Sequence, residues 1–208
     1  MIALDKAEAK LNKIERAKAE KDGLIVKNKL DYFAEVGWKN VDKTDLELRL
    51  KWLGIFLRPI TSSQFMLRLR TPNGQLTSQQ MQILANIIHR YGNAGSGDIT
   101  THQNIQLRGV CLEGIPGIFR CLKAAGMTTM QLGFDNVRNI TGSPVAGINA
   151  AEVIDTRPLV QQLQNLMTSN SERNPEFSNL PRKLNIAVEG SRDPFGATPK
   201  DAKVLAKA

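Results

Sequence analysis

Apolar and polar positions change their spacing several times along this chain, and each change marks an element. Residues 4–21 are rich in Ala, Lys and Glu, with Leu11 and Ile14 among few apolar positions. That pattern predicts a solvated helix or arm whose charge run needs no functional explanation. Asp22-Gly23 breaks it, helical spacing resumes from about Val26 to Val36, and Gly37 stops it. Leu48–Leu57 reads as an apolar strand closed by Pro59. From Gln64 to Arg70 the period is two, with Phe65, Leu67 and Leu69 on one face and Met66, Arg68 and Arg70 on the other. Thr71-Pro-Asn-Gly74 is a turn, and Thr77-Ser-Gln-Gln80 is a capping box. The helix it opens runs to about Tyr91 on a stripe of Met81, Leu84, Ala85 and Ile88.

The most informative stretch is Asp98-Ile-Thr-Thr-His-Gln-Asn-Ile-Gln-Leu-Arg-Gly109. Read as one strand, it places Thr100, His102, Asn104, Gln106 and Arg108 on one face and Ile99, Thr101, Gln103, Ile105 and Leu107 on the other. The polar face holds no Glu and no Lys, only hydrogen-bonding groups suited to a fixed anionic partner, although a solvated strand fits the composition equally well. Pro116 then opens a helix with Ile118, Leu122 and Ala125 inward and Gly126 as its cap, and Met127–Leu132 reads as a further strand.

Strand, helix, strand, helix, strand predicts an α+β unit over 60–132, preceded by a helical arm and lead-in strand over 1–59. Beyond it, Asp135–Gly147 reads as a polar loop, Glu152–Leu166 as a helix, Met167–Ser178 as a linker and Leu184–Val188 as a short strand. These belong to a second unit over 133–193, and 194–208 is predicted to be a disordered tail.

The 208 residues are 41% hydrophobic with a net charge of +8, which fits a globular chain with an acidic partner or ligand and excludes a disordered one. No apolar run reaches the length of a membrane span, and Trp52–Leu57 is the longest cluster. Met1–Lys10 carries no secretory core and is too acidic for a transit peptide, so the expected compartment is the cytoplasm. The two cysteines, Cys111 and Cys121, lack metal-knuckle spacing and are expected to be packed and inert; no metal ligand set is assigned. No phosphate loop, nucleophile elbow or His-Glu metal helix is present, and His89 is expected on a helix surface.

Basic side chains recur in unusual company: Arg68 and Arg70 on one strand, His102 and Arg108 on another, Arg138 within Asn136-Val-Arg-Asn139, and Arg182-Lys183 before a short strand. An arginine flanked by apolar residues or amides, without an acidic partner, calls for an anion, and its fork suits carboxylate or phosphate.

Four segments in this order resemble the siroheme-containing nitrite and sulfite reductase family: Met66–Gly74, Asp98–Gly109, Asp135–Gly147 and Asn179–Asn185. Lys18–Leu24 and Arg49–Gly54 resemble its ferredoxin-dependent, nitrite-reducing branch, and the likeness runs from about residue 10 to 193. The resemblance implies a ferredoxin-like half-domain of the nitrite/sulfite reductase type followed by the start of a siroheme-binding α+β domain. It also implies siroheme and a [4Fe-4S] cluster in the full-length enzyme, ferredoxin as electron donor, nitrite as substrate, and a missing carboxy-terminal half holding the cluster cysteines.

By resemblance, Arg68, Arg138, Lys183 and Asn185 would form the catalytic set. Arg70, His102, Gln103, Asn104, Gln106, Arg108, Asn139 and Arg182 would face the cofactor. Two positions differ from the family motif: His102 stands where it carries Arg, and Asn185 where sulfite-reducing members carry a second Lys. One charge fewer suits nitrite over sulfite. The alternatives are a sulfite reductase fragment and a non-catalytic basic binding module. Nucleic acid is disfavoured because only 5% of residues are aromatic.

Overall fold

A computed structural model describes residues 12–61, 63–92, 96–170, 172–191 and 205–206. Helix α1, Lys13–Glu20, starts where Asn12 accepts hydrogen bonds from the N–H groups of Ile14 and Glu15. The part of the predicted arm before Asn12 lies outside the described residues. The rest is docked, with Ala17 buried and Lys18 tied to Asp135, Glu15 and the Leu180 carbonyl. Its lysines are therefore not all solvated.

A 3-10 helix, Gly23–Lys29, leads directly into α2, Leu30–Val36, so the predicted helix is real but wound in two pitches. Gly23 lies against an indole: a Cβ there would sit 2.2 Å from Trp52 Cδ2. Gly37, at φ 75°, ends α2, and Asp42 caps the short α3, Lys43–Glu47.

The strand predicted over 48–57 is mostly helical: Arg49–Leu53 is a 3-10 turn, Gly54 turns left-handed, and only Ile55–Leu57 is strand β1. The alternation Leu48-Arg-Leu-Lys-Trp52 mimics a strand, but Arg49, Leu50, Trp52 and Leu53 are all buried, so burial follows neither period. Arg49 is paired, its Nη1 lying 2.8 Å from Asp45 Oδ1 one turn earlier.

Strands β2 (Gln64–Leu69), β3 (Gly97–Ile99) and β4 (Ile105–Cys111) join β1 in an antiparallel sheet of order β1-β2-β4-β3. The alternation predicted for β2 holds: Phe65, Leu67 and Leu69 are buried, while Met66 and Arg68 are half-buried. Helices α4 (Ser78–Tyr91) and α5 (Ile115–Ala124) pack with this sheet around Trp52, Leu107, Leu112, Ile115 and Ile118. The Thr77–Gln80 capping box forms as expected. The buried stripe of α4 is Leu84 and Ile87, flanked by Ile88 and Tyr91; Met81 and Ala85 are exposed.

Met127–Leu132 is buried without being a strand, because its backbone bonds diverge. Thr128 O accepts from Arg70 N at 2.9 Å, Gln131 N donates to Trp52 O at 2.7 Å, and Gln131 has φ 56°. Beyond it, Val137, Ile140, Val160, Met167, Ile186 and Val188 form a second apolar cluster. Here α6 (Arg157–Thr168) packs beside a parallel sheet of β5 (Thr141–Gly142), β6 (Ala187–Val188) and β7 (Leu205–Ala206). Pro158 in its first turn starts α6 later than the predicted Glu152.

The segment 135–147 is a loop as read, apart from β5, but a buried one: Asn136, Val137, Asn139 and Ile140 are all at most 1% exposed. The expected linker is pinned as well, since Gln131 exchanges hydrogen bonds with Asn174. Most of the predicted tail lies outside the described residues, whereas Leu205–Ala206 forms a strand. Cys111 and Cys121 are both exposed, contrary to expectation, because each falls on the outward side of its element. His89 is exposed as expected. No helix among the described residues is long and apolar enough to cross a membrane.

Candidate functional site

The stretch singled out by its polar face is two strands and a turn. β3 and β4 pair with Gly97 opposite Leu107, Asp98 opposite Gln106 and Ile99 opposite Ile105, leaving residues 100–104 to reverse the chain. Gln103 takes φ 52° in that turn, and Thr100 N donates to Asn104 O at 3.0 Å. The single alternating strand therefore holds only from Ile105 onward, and the residues before it lie in the turn.

Sheet register then assembles a row that no linear spacing contains. Gln106 lies opposite Asp98 on one side and opposite Arg68 of β2 on the other, and directly opposed residues share a sheet face. Arg108, two residues along from Gln106, is taken by an ion pair with Asp98. Arg68 has no such partner among the described residues. Its guanidinium stacks over Phe56, 4.7 Å from the ring centroid, and its buried Nε makes no hydrogen bond. Burial holds its pKa below the ordinary arginine value.

Arg138 comes from the 135–147 segment. Its backbone N–H donates to Leu184 O at 2.8 Å and its Nη1 to Leu132 O at 2.6 Å. Burial, and after it the positive charge of Arg68, lowers its pKa to about 10, with Asp135 opposing. Both arginines remain charged at neutral pH, in one electrostatic field, and neither has an ion pair among the described residues. An anion placed between them would recover part of the desolvation cost that each carries.

Lys183 and Asn185 flank Leu184, whose backbone bridges the Val137–Arg138 strip. Parallel pairing of Val137 with Leu184 thus sets the backbone of 183–185 beside that of 136–138, with Asn185 level with Arg138 and Lys183 level with Asn136. Lys183 and Arg182 are exposed, and Asn185 is buried.

Other expected site residues are committed to the protein itself. Arg70, 2% exposed, is counted among the cofactor contacts by sequence, yet all five of its N–H donors meet protein oxygens. Nε donates to Met130 O, Nη1 to Arg138 O and Gln164 Oε1, and Nη2 to Gln131 O and Val137 O. Desolvation, then the charge of Arg138, lowers its pKa to about 9, and no donor is left for a ligand.

Asn139 is likewise occupied. Its Oδ1 accepts from Thr71 N at 3.0 Å, and its Nδ2 reaches the carbonyls of Thr71, His102 and Gln103 at 2.9–3.0 Å. Gln103 binds Gly142 through both ends of its amide. His102 is half-buried at the turn, while Asn104 is 5% exposed with its Oδ1 unpartnered. The turn also walls a cleft of about 280 Å³, lined by Thr71, Asn73, Thr100, Gln103 and Ser143. Two oxygens there, Asn73 Oδ1 and Thr100 Oγ1, lack partners.

Sequence reasoning missed Lys51, half-buried with its pKa lowered by burial, its ammonium 6.0 Å from the Phe134 ring, which stacks on Trp52 at 4.2 Å. It also missed Lys18. Neither has a signal in local spacing, because each depends on a segment distant in the chain.

Among the described residues no group of three or more His, Cys, Asp or Glu side chains could hold a metal. Two exposed cysteines also fall short of a four-cysteine cluster. A [4Fe-4S] cluster does not fit this chain by itself. A carboxylate-rich tetrapyrrole does fit the Arg68–Gln106 row, where an unpaired guanidinium and a buried, unbonded Nε are present.

The chain belongs to the nitrite and sulfite reductase family: residues 60–125 match its ferredoxin-like half domain, and residues 133–201 match the nitrite and sulphite reductase 4Fe-4S domain. It is 58% identical to the ferredoxin–nitrite reductase of Leptolyngbya laminosa, over 90% of this chain and 37% of that protein. It is 42% identical to the chloroplastic ferredoxin–nitrite reductase of Arabidopsis thaliana, over 92% of this chain and 34% of that protein. Among solved structures it resembles the Mycobacterium tuberculosis NirA protein with a TM-score of 0.79 at 28% identity, over 86% of this chain and 35% of that one. The chain spans little more than a third of the length of the curated relatives it matches.

Proposed function

We propose that this chain is the anion-holding, siroheme-facing half of a cytoplasmic ferredoxin–nitrite reductase, with 60–132 and 133–193 as its two folding units. The observation that carries the reading is the pair Arg68 and Arg138: two desolvated guanidinium groups in one field, without carboxylate partners of their own. Arg68, Gln106 and the turn residues His102 and Asn104 would hold the siroheme; Arg138, Lys183 and Asn185 would line the substrate side. When bound, siroheme supplies the iron at which nitrite is reduced to ammonium with electrons from ferredoxin. The arginines attract and orient the anion, and in a site that excludes water they stabilise negative charge far better than they would in bulk solvent. Lys183, exposed here, would donate a proton as oxygen leaves as water. The remaining half of the enzyme would bring the cluster ligands, so this chain alone is expected to be inactive. The net charge of +8 suits docking of an acidic ferredoxin.

The test is nitrite reduction by the complete, siroheme-loaded enzyme. Arg68→Gln and Arg138→Gln should each lower kcat/KM, expressed per bound siroheme, on the order of a hundredfold, with folding retained. Unchanged turnover in both variants would refute the anion site.

Asn185 separates this reading from a sulfite reductase. An uncharged, buried side chain at that position withholds the extra cation a doubly charged oxyanion would use. Asn185→Lys should therefore shift the ratio of sulfite to nitrite turnover toward sulfite.

A further inference from the structure

Asp135 precedes Arg138 by three residues and is the carboxylate whose field reaches it. Left alone, this half-buried acid would turn its charge on Arg138 and compete with any anion for it. It is engaged elsewhere. Lys18 of α1 places its Nζ 2.6 Å from Asp135 Oδ2, 2.8 Å from Glu15 Oε1 and 2.9 Å from Leu180 O, so all three of its N–H donors are taken. The Lys18 side chain is only 7% exposed, against 21% for Asp135, so the contact is sheltered from water. Desolvation works against the ammonium, but hydrogen bonds and charge from Asp135 and Glu15 prevail and hold its pKa above the ordinary lysine value. The same ammonium, through the Leu180 carbonyl, fixes the start of the 180–185 segment that carries Lys183, while Leu180 N donates to Asp135 O at 2.8 Å.

We propose that Lys18 is a positioning residue of the anion site: by neutralising Asp135 it keeps Arg138 available to the substrate anion. This rests on the reading of Arg68 and Arg138 as an anion site, and no contact between Lys18 and the substrate is involved. α1 would then be an electrostatic part of the enzyme as well as a packed one.

Nitrite titration of the 208-residue chain, followed through the Nε–H resonances of Arg68 and Arg138, tests it. Lys18→Met should weaken nitrite binding about tenfold, roughly 1.4 kcal/mol of lost attraction at Arg138. Lys18→Arg should bind as the parent does, and Lys18→Met/Asp135→Asn should recover the parent affinity, because the competing carboxylate is gone. Asp135→Asn alone should tighten binding, and it keeps the test informative if Lys18→Met fails to fold. Parent-like affinity in Lys18→Met, or a double variant as weak as Lys18→Met, would overturn the proposal, since a loss of α1 packing alone is not repaired by Asp135→Asn. If nitrite moves neither arginine in the parent chain, the anion site itself falls, and the role of Lys18 with it.

Discussion

Gln103 and Gly142 are joined as two strands would be, the glutamine side chain donating to the glycine carbonyl at 2.7 Å and accepting from its N–H at 3.0 Å. A side-chain amide here imitates a peptide group and ties the β3–β4 turn to β5. Gly142 permits the approach: a Cβ on it would fall 1.6 Å from Asn73 Oδ1. With Asn139, this amide fixes where the polar turn stands relative to Arg138.

Removing those amides should loosen the junction and leave the elements intact. Asn139→Ala removes a partner from four backbone groups and, among the described residues, strands two of them, Thr71 N and His102 O, since Thr71 O still accepts from Gly74 N and Gln103 O from Thr71 Oγ1. It should cost about 2–4 kcal/mol, taking part of the 1–3 kcal/mol that each unsatisfied buried group carries. Gln103→Ala, at a half-buried site, should cost about 1–2 kcal/mol. Urea unfolding followed by tryptophan fluorescence reads both, and Asn139→Ala should be the more damaging.

Arg70 should prove structural. Arg70→Lys offers three donors to five acceptors, which leaves at least two buried oxygens unpaired, a loss of roughly 2–5 kcal/mol. Its midpoint of unfolding should fall sharply while that of Arg68→Lys barely moves. Equal stability of Arg70→Lys and the parent would mean that the five-bond arrangement is not maintained in solution.

Glu172 bridges Lys27 of the Gly23–Lys29 turn and Lys123 of α5. Hydrogen bonds from Lys123 and Lys27, then the charge of Lys27, lower its pKa to about 2 from 4.5. An acid whose pKa is depressed on folding adds stability that is complete above its unfolded value and lost as pH falls toward the folded one. The window is therefore between about pH 4.5 and pH 2. The groups are largely exposed, so the effect is small and screened by salt. Thermal unfolding at low ionic strength should show a slope in that window that Glu172→Gln flattens.

His102 sits half-buried at the turn where the family motif carries an arginine. In the complete enzyme, His102→Arg should raise the siroheme absorbance retained per protein after gel filtration, because a guanidinium fork holds a carboxylate through two hydrogen bonds. An unchanged ratio would remove His102 from contact with the cofactor.

Much of the fold could be read from local patterns. The alternation of β2, the capping box at Thr77 and the stop at Gly37 each depend on a few neighbouring residues, and each appears where the pattern places it. The failures share a cause: Arg49–Leu53 and Met127–Leu132 are buried on nearly every side, polar residues included, so the side-chain pattern does not report which face is inward. Asp135–Gly147 is legible as a polar loop, but its burial is not, because its polar groups are satisfied internally, as Asn136 does with Gly133 O and the backbone of Asn179.

The basic and amide residues in their order, the α+β character and the family were determined by the sequence alone. Which of those residues are free was decided by the tertiary structure. Arg68 and Arg70 are chemically identical and two positions apart, yet Arg70 ends in five protein hydrogen bonds and Arg68 has no counterion among the described residues. The stretch from Asp98 to Gly109 shows the same division: its composition fits a site or a solvated strand, and the reversal at 100–104 and the Arg68–Gln106 register decide which face it presents. Charge availability is set by contacts between segments far apart in the chain, and no local spacing encodes them.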